Sequence, residues 1–408
     1  MKSLDGPPSP NSSFGLVRRI GQRVRHGGLS WLLARSAREI RAPQTAPGRI
    51  LNALLRDMLA IRYAIERLSP SRQSSDDEAL LAVYDTLVEP TTYDVLFFLL
   101  RAELERQRVG AGRIHVLFVG SANGETREEM AGYRAVVSET SQRDRIINML
   151  IPAAWQLPTV AAVSLNHERA AVDRMVAKWP PNRLFPARFS TVLTRQTIMD
   201  CYGEVLRSAN VQSDLAAFRA TGSSHNYVRR WLVGHGIDGP FVAITLRTYG
   251  YNQARNSDLK AWQAAAHYLS DRGYTPVIVP DTESLADGMP DEFADLLCMP
   301  EAAWNVGLRL ALYEQAFVNL GVSCGPLFLG LLDSKCRVLM FKIVTSGVSQ
   351  NEEDYIRRQG FVIGGQIPFN TPFQKRVWRN DSFETIVEEF EAFEELVRST
   401  EEQQFALR

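Results

Sequence analysis

The spacing of apolar residues divides the chain into segments that predict different elements. From Leu16, Val17, Ile20 and Val24 to Leu29, Leu32, Leu33 and Ile40 the apolar positions follow a helical period. Arginines fill the other faces, and Gly27 and Gly28 interrupt the run. Ile50 to Leu68 predicts a long helix, followed by the polar linker S-R-Q-S-S-D-D. From Leu80 onward the pattern is α/β. T-Y-D-V-L-F-F-L-L-R-A-E-L-E-R predicts a helix, and I-H-V-L-F-V-G, a short apolar run ending in glycine, predicts a buried strand. R-D-R-I-I-N-M-L-I-P-A-A-W-Q predicts a further helix and T-V-A-A-V-S a second strand. Asn182 to Gly222 carries no clear period.

The second half alternates more plainly. Phe241–Leu246 predicts a strand, Ser257–Arg272 a helix, and Thr275–Val279 a strand ending in P-D-T-E. Leu308–Gln315 is helical, F-V-N-L-G leads into a turn, Pro326–Leu332 predicts a short helix, and R-V-L-M-F-K a strand. Three strands joined by helices make a Rossmann-like unit beginning near Gly239, since alternation of this kind builds a parallel sheet. The last helix, Asp381 to Thr400, has Asp381 or Ser382 as its N-cap, and its length and position suit a crossing over the other domain. The expectation is an α/β chain of two Rossmann-like domains with a helical, basic N-terminal extension. Its parts are 1–79 (tail and extension), 80–238, 239–380, and a crossover helix over 381–408.

Composition narrows the class. A chain of 408 residues is long for one core, which agrees with two domains. The 46 basic and 46 acidic residues cancel, so overall charge does not point to nucleic acid. Residues 1–13, rich in proline and serine, are expected to be disordered. Four separated cysteines, with no C-x-x-C pair, read as reduced thiols in a cytoplasmic protein. No apolar run approaches the roughly 18 residues of a membrane span, and arginines interrupt any signal-peptide core. The basic amphipathic stretch 14–41 has two readings: a contact with an anionic membrane surface, or a helix packed on the domain with a solvated face.

Candidate chemistry gathers where the second-half strands end, the place where open α/β sheets bind ligands. After the first come Arg247, Tyr249, Asn252, Arg255 and Asn256; after the second, Asp281, Thr282 and Glu283. Ser323, Gly325 and Pro326 follow the F-V-N-L-G run, and Lys342 follows the last strand. Two arginines and a lysine converging from separate strand ends suit a diphosphate. The helix start at Ser257 or Asp258 would aim its positive end at the same space. Gly325 would let backbone approach a ligand closely. Structural readings stand beside these: Arg247 paired with Asp258 or Glu314, Asp281 and Glu283 capping their loop, His115 in the core, and Trp262 and Trp378 as packing residues. His225, His235 and His267 lack metal-ligand spacing. No G-x-S-x-G, P-loop or G-x-G-x-x-G signature follows a strand.

The strand ending in Arg247, the R-N-S-D loop, and the strand ending in V-I-V-P-D-T-E are together similar to the donor domain of GT-B glycosyltransferases of the fucosyltransferase-like branch. L-Y-E-Q-A-F-V-N-L-G-V-S-C-G-P-L-F-L-G-L-L resembles the heptosyltransferase-like branch. The resemblance covers about Phe241 to Lys342. It implies two Rossmann-like domains facing a cleft, with the nucleotide sugar on the C-terminal one and the acceptor on the N-terminal one. Arg247 would neutralise the leaving diphosphate, with Arg255, Asn256 and Lys342 beside it; Asp281, Ser323, Gly325 and Pro326 would hold the nucleotide. The base would come from Asp94, Glu125 or Glu128, with Glu125 favoured as the residue after the first strand. The expected activity is metal-independent transfer of a sugar from a nucleotide-diphospho-sugar to a surface-polysaccharide or glycolipid acceptor, without a cofactor, in the cytoplasm or on the inner membrane face. A non-catalytic sugar- or nucleotide-binding scaffold and a nucleotide-sugar epimerase are the alternatives.

Overall fold

The computed structural model describes residues 46–67, 79–193, 195–208, 215, 217–283, 285 and 288–406. The tail 1–13, the basic stretch 14–41 and the linker that follows Arg67 lie outside the described residues.

Two parallel sheets organise the chain. The first has the order β3-β2-β1-β4, with β1 Ala79–Asp85, β2 Arg113–Val119, β3 Val160–Asn166 and β4 Leu184–Phe185. Every residue of β1 (A-L-L-A-V-Y-D) is buried, as expected for a central strand covered on both faces. This strand is absent from the sequence reading, which puts the first strand at what is in fact β2. His115 of β2 is half-buried and bonds Ser164 Oγ at 2.7 Å across to β3. The helix expected over 143–156 is broken into Glu139–Arg145, a π-turn at Ile146–Leu150, and Ile151–Trp155. Its cause is Pro152, which has no N–H for the carbonyl four residues back; Ile151 N–H bonds Ile146 instead, five back.

The second sheet has six strands where three were expected. They are β5 Phe241–Thr245, β6 Thr275–Val279, β7 Leu297–Cys298, β8 Val318–Val322, β9 Val338–Phe341 and β10 Gln374–Arg376, in the order β10-β9-β8-β5-β6-β7. β8, read from the sequence as the approach to a turn, is central and wholly buried. Its two unusual residues have structural reasons. Asn319 Nδ2 bonds the carbonyls of Tyr313 and Arg337, both at 2.9 Å. At Gly321 a Cβ would come within 2.5 Å of the Thr245 carbonyl, so only glycine permits the β5–β8 approach.

In both sheets the chain winds outward from its first strand and then returns to that strand's other side. The reversals, at β1/β4 and β5/β8, open crevices at the carboxyl ends of the strands. One apolar cluster runs through both units. Phe97 of helix Val95–Arg108 meets Phe328 and Phe361 edge-on, with ring centroids 5.8 and 6.1 Å apart. A continuous core of this kind holds the two sheets as one body around their cleft.

The final helix, Phe383–Ala406, corrects the expected crossover. Ile386, Phe390, Phe393 and Val397 are buried in the second unit's own core with Trp262, Leu269 and Phe341. Ser382 is the N-cap, its Oγ accepting from Thr385 N–H at 3.3 Å. Asp381 does something else: one carboxylate oxygen accepts from Asp258 N–H and Trp262 Nε1–H, both at 2.9 Å. Trp262 and Trp378 are packing residues, the latter bonding Gly365 O at 3.2 Å.

Candidate functional site

A cleft of about 520 Å³ lies between the carboxyl ends of the two sheets. From the first unit it is lined by the loop after β1 (Thr92, Tyr93, Asp94), by Arg127 and Glu129, and by Arg145. The second unit contributes the turns after β5, β6 and β8, and a wall around Tyr355, Phe361 and Arg376.

The loop after β5 is wound around Arg247. Its guanidinium donates to Tyr251 O at 2.9 Å, to Asn252 O at 3.3 Å and to the Asn256 side chain. Asn252 takes a left-handed conformation, φ +56°, which asparagine tolerates better than most residues. Asn256 closes the loop by pairing with both backbone groups of Tyr249. Neither Asp258 nor Glu314 pairs with Arg247: the first is the N-cap of helix Leu259–Asp271, and the second serves Ala220 N–H and His225.

So built, the loop presents Arg255. One nitrogen of this guanidinium donates to Ser323 O at 3.0 Å, while Nε–H is buried with no partner. Burial, and then the charge of Arg247, push its pKa down to about 10; burial also lowers that of Arg247. Among the described residues neither arginine makes an ion pair. The charge of Arg247 is thus felt at Arg255 in the cleft wall, and neither guanidinium touches a carboxylate; Asp281 and Asp94 act on Arg247 and Arg255 only from further off.

Other expected site residues lie elsewhere. Lys342 does not line the cleft: its Nζ donates to Asn256 O at 2.8 Å and pairs with Asp381 at 3.4 Å, bracing the loop from behind. Asn256 likewise supports Arg247 from outside the lining. Asp258 N–H is taken by Asp381 and Ala261 N–H by Asp258's own carboxylate, and no residue at the start of helix Leu259–Asp271 lines the cleft. Gly325 does permit a close approach, but of protein: a Cβ there would lie 2.7 Å from Tyr93 Cβ. Ser323 and Pro326 line the cleft. Asp281 lines it too and accepts from Thr248 and Glu283 N–H, both at 3.2 Å; burial raises its pKa. Glu283 reaches across to Arg145, which also donates to the hydroxyls of Tyr133 at 2.6 Å and Tyr249 at 3.0 Å.

Glu125, the favoured base, is exposed and outside the cleft, 3.4 Å from Ser121 Oγ. Glu128 is exposed and also outside. The reason is topological. Both follow β2, an inner neighbour of the true first strand, and their segment is tied back by Arg127 N–H to Thr86 O at 2.7 Å. Asp94 is one of five carboxylates that line the cleft, with Glu129, Asp144, Asp281 and Glu283. It accepts from Tyr202 OH at 2.6 Å and Thr92 Oγ1 at 2.5 Å and, among the described residues, makes no ion pair. Glu129 and Glu283, by contrast, are bound to Arg127 and Arg145.

Sequence reasoning missed Arg309 and Arg376. Arg309 is buried in helix Val306–Gln315 and bonds Tyr313 OH at 3.3 Å, which in turn bonds Thr245 Oγ1 at 2.6 Å. The available signal was an arginine inside the apolar run G-L-R-L-A-L-Y. Among the described residues no three His, Cys, Asp or Glu side chains gather as a metal site requires, and no helix is long and apolar enough to cross a membrane.

Two parallel-sheet α/β units facing a common cleft make this a GT-B-like fold. No family model matches the sequence, and no curated protein is significantly similar to it. Among solved structures it is similar to a family 9 glycosyl transferase from Veillonella parvula. The two are 12% identical, with 66% of this chain and 82% of that one covered at a TM-score of 0.43. Escherichia coli ADP-heptose LPS heptosyltransferase II is 9% identical over 77% of this chain and 98% of its own, at 0.44. The UDP-GlcNAc 2-epimerase of Methanocaldococcus jannaschii is 15% identical over 85% and 83%, at 0.25. Likenesses this distant do not identify a donor, an acceptor or a reaction.

Proposed function

We propose that the protein is a glycosyltransferase that takes a nucleotide-diphospho-sugar and passes its sugar to a carbohydrate or glycolipid acceptor. The observation that carries this reading is the Arg247–Arg255 pair: adjacent, partly desolvated guanidinium groups with no carboxylate on either. A diphosphate would relieve their repulsion and satisfy the orphaned Nε–H of Arg255. The same groups would stabilise the charge that grows on the leaving diphosphate. Asp94 is the proposed base in place of Glu125. As an acceptor hydroxyl attacks the anomeric carbon, its proton passes to the Asp94 carboxylate. The bond from that carbon to the β-phosphate oxygen breaks, and its electron pair leaves with the nucleoside diphosphate.

A thermal-shift panel of ADP-, GDP-, UDP- and CMP-sugars tests the donor reading. One nucleoside diphosphate series should raise the melting temperature, since ligand at 100 times its Kd stabilises by about 2.7 kcal/mol. CMP-sugars, which lack the diphosphate, should not. No shift with any diphosphate sugar would refute the reading.

The proposal extends to location: residues 14–41 dock the enzyme on the anionic inner membrane face. Ile50, Leu51 and Leu54, exposed on helix Ala46–Arg67, support an apolar contact next to that basic stretch. The full chain should float with vesicles containing anionic lipid and a chain lacking 14–41 should not; equal flotation would end this part of the proposal.

A further inference from the structure

Arg376, on the edge strand β10, belongs to none of the groups assigned so far. It is 2% exposed, yet it lines the cleft. Its guanidinium lies over the rings of Phe361 and Trp378, 4.4 and 4.7 Å from their centroids. Its backbone is fixed from both sides by one side chain: Gln366 Oε1 accepts from Arg376 N–H, and Gln366 Nε2–H donates to Arg376 O. Yet Nε–H and Nη1–H have no partner, and among the described residues Arg376 makes no ion pair. Burial alone, with no neighbouring acid to oppose it, pushes its pKa down to about 10.

The other buried arginines of this cleft are better supplied: Arg247 donates to two carbonyls and Asn256, and Arg309, although its Nε–H is unpartnered, donates to a carbonyl and a tyrosine hydroxyl. An uncompensated buried cation works against folding, and the stacking rings return only part of that loss. The rings also limit what can approach. A ligand could meet the guanidinium only in its plane, where Nε–H and Nη1–H lie buried until the surrounding lining moves aside, which favours a flat, two-oxygen anion. Nearby lining groups are neutral: Tyr202, Phe328, Tyr355 and Gln359. Tyr202 links this end to the proposed base, since its hydroxyl donates to Asp94 while its ring stacks on Phe97 at 3.9 Å.

We infer that Arg376 is a second anion subsite of the cleft, one that receives the carboxylate of an acidic sugar. That this sugar belongs to the acceptor rests on the donor reading above; that a carboxylate binds here does not. Arg247 and Arg255 lie on the donor side of the cleft, so the two anions would be held by separate arginines with Asp94 near the junction.

The test compares methyl glucuronoside with methyl glucoside, probes that differ only in the carboxylate, by titration into the full chain. The wild-type protein should prefer the glucuronoside by at least tenfold. Arg376→Met keeps the stem and the ring contacts, removes the charge, and should abolish the preference. Nucleoside diphosphate titrated into the same samples should bind both proteins within twofold. Equal binding of the two glycosides to wild type would overturn the inference with no variant needed. A preference that survives in Arg376→Met would overturn it as well. Nucleotide binding without glycoside discrimination would refute this subsite alone, whereas discrimination without nucleotide binding would refute the donor reading and keep the subsite.

Discussion

Arg255→Met is expected to lower turnover by about 10² to 10³ while raising the melting temperature. The opposite signs come from one arrangement. In the free protein Arg255 is a cation placed beside Arg247, stripped of part of its water, with an unpaired Nε–H. Replacing it with an apolar side chain of similar length removes the repulsion and the orphaned donor. Stability should therefore rise by a fraction of the roughly 1–3 kcal/mol that an unsatisfied buried polar group costs. Function should move the other way. Removing one preorganised donor from a developing oxyanion lowers kcat by about 10² to 10³, and the ground-state diphosphate loses a charge-assisted bond as well. Arg247→Met provides the contrast. Arg247 holds Tyr251 O, Asn252 O and Asn256 together, so its loss should lower the melting temperature and activity alike. Paired melting curves and initial rates check both signs. A destabilised Arg255→Met would mean that its contact with Ser323 O outweighs the strain inferred here.

Asp94→Asn should lower kcat by about 10³, within the 10² to 10⁴ that a positioned general base supplies. The donor Kd should not weaken, because Asp94 touches neither arginine and its charge, felt at Arg255, opposes a bound diphosphate. The amide keeps an oxygen to accept from Tyr202 or Thr92 but cannot take the acceptor's proton. Tyr202→Phe should cost much less, since the carboxylate survives with one partner. If Asp94→Asn retained wild-type kcat while Glu125→Gln lost it, the base assignment would have to be reversed.

Much of the second unit was legible because its corners are local. Arg247, Asp281 and Ser323 each follow an apolar run by one or a few residues, Arg255 follows in the same loop as Arg247, and strand ends of a parallel sheet converge by construction. Orientation was not legible. Lys342 has the charge and position of a phosphate ligand, but its left-handed backbone, φ +55°, and Asp381, 39 residues on, turn it to the back of the loop. Gly325 permits a close approach of protein and not of the expected ligand, because its neighbour Tyr93, over 200 residues away in sequence, cannot be foreseen locally. β1 was overlooked because A-L-L-A-V-Y-D has no alternation and abuts a polar linker. That one omission shifted the strand count and carried the base from Asp94 to Glu125. β8 was hidden by Asn319 and Gly321, residues that disfavour strands except where another backbone needs a partner or space. Arg376 was invisible for a plainer reason: a lone arginine in Q-K-R-V-W signals a surface strand, and only the folded chain buries it against two rings.

The measurement that bears most directly on the central claim is a titration of nucleoside diphosphate against the matching monophosphate, into wild type and Arg255→Met. The arginine pair should make wild type prefer the diphosphate by at least 30-fold, a difference of about 2 kcal/mol. In the variant that preference should fall to within threefold while monophosphate affinity is kept. The same preference in both proteins, or none in wild type, would contradict the assignment of this cleft to a diphosphate.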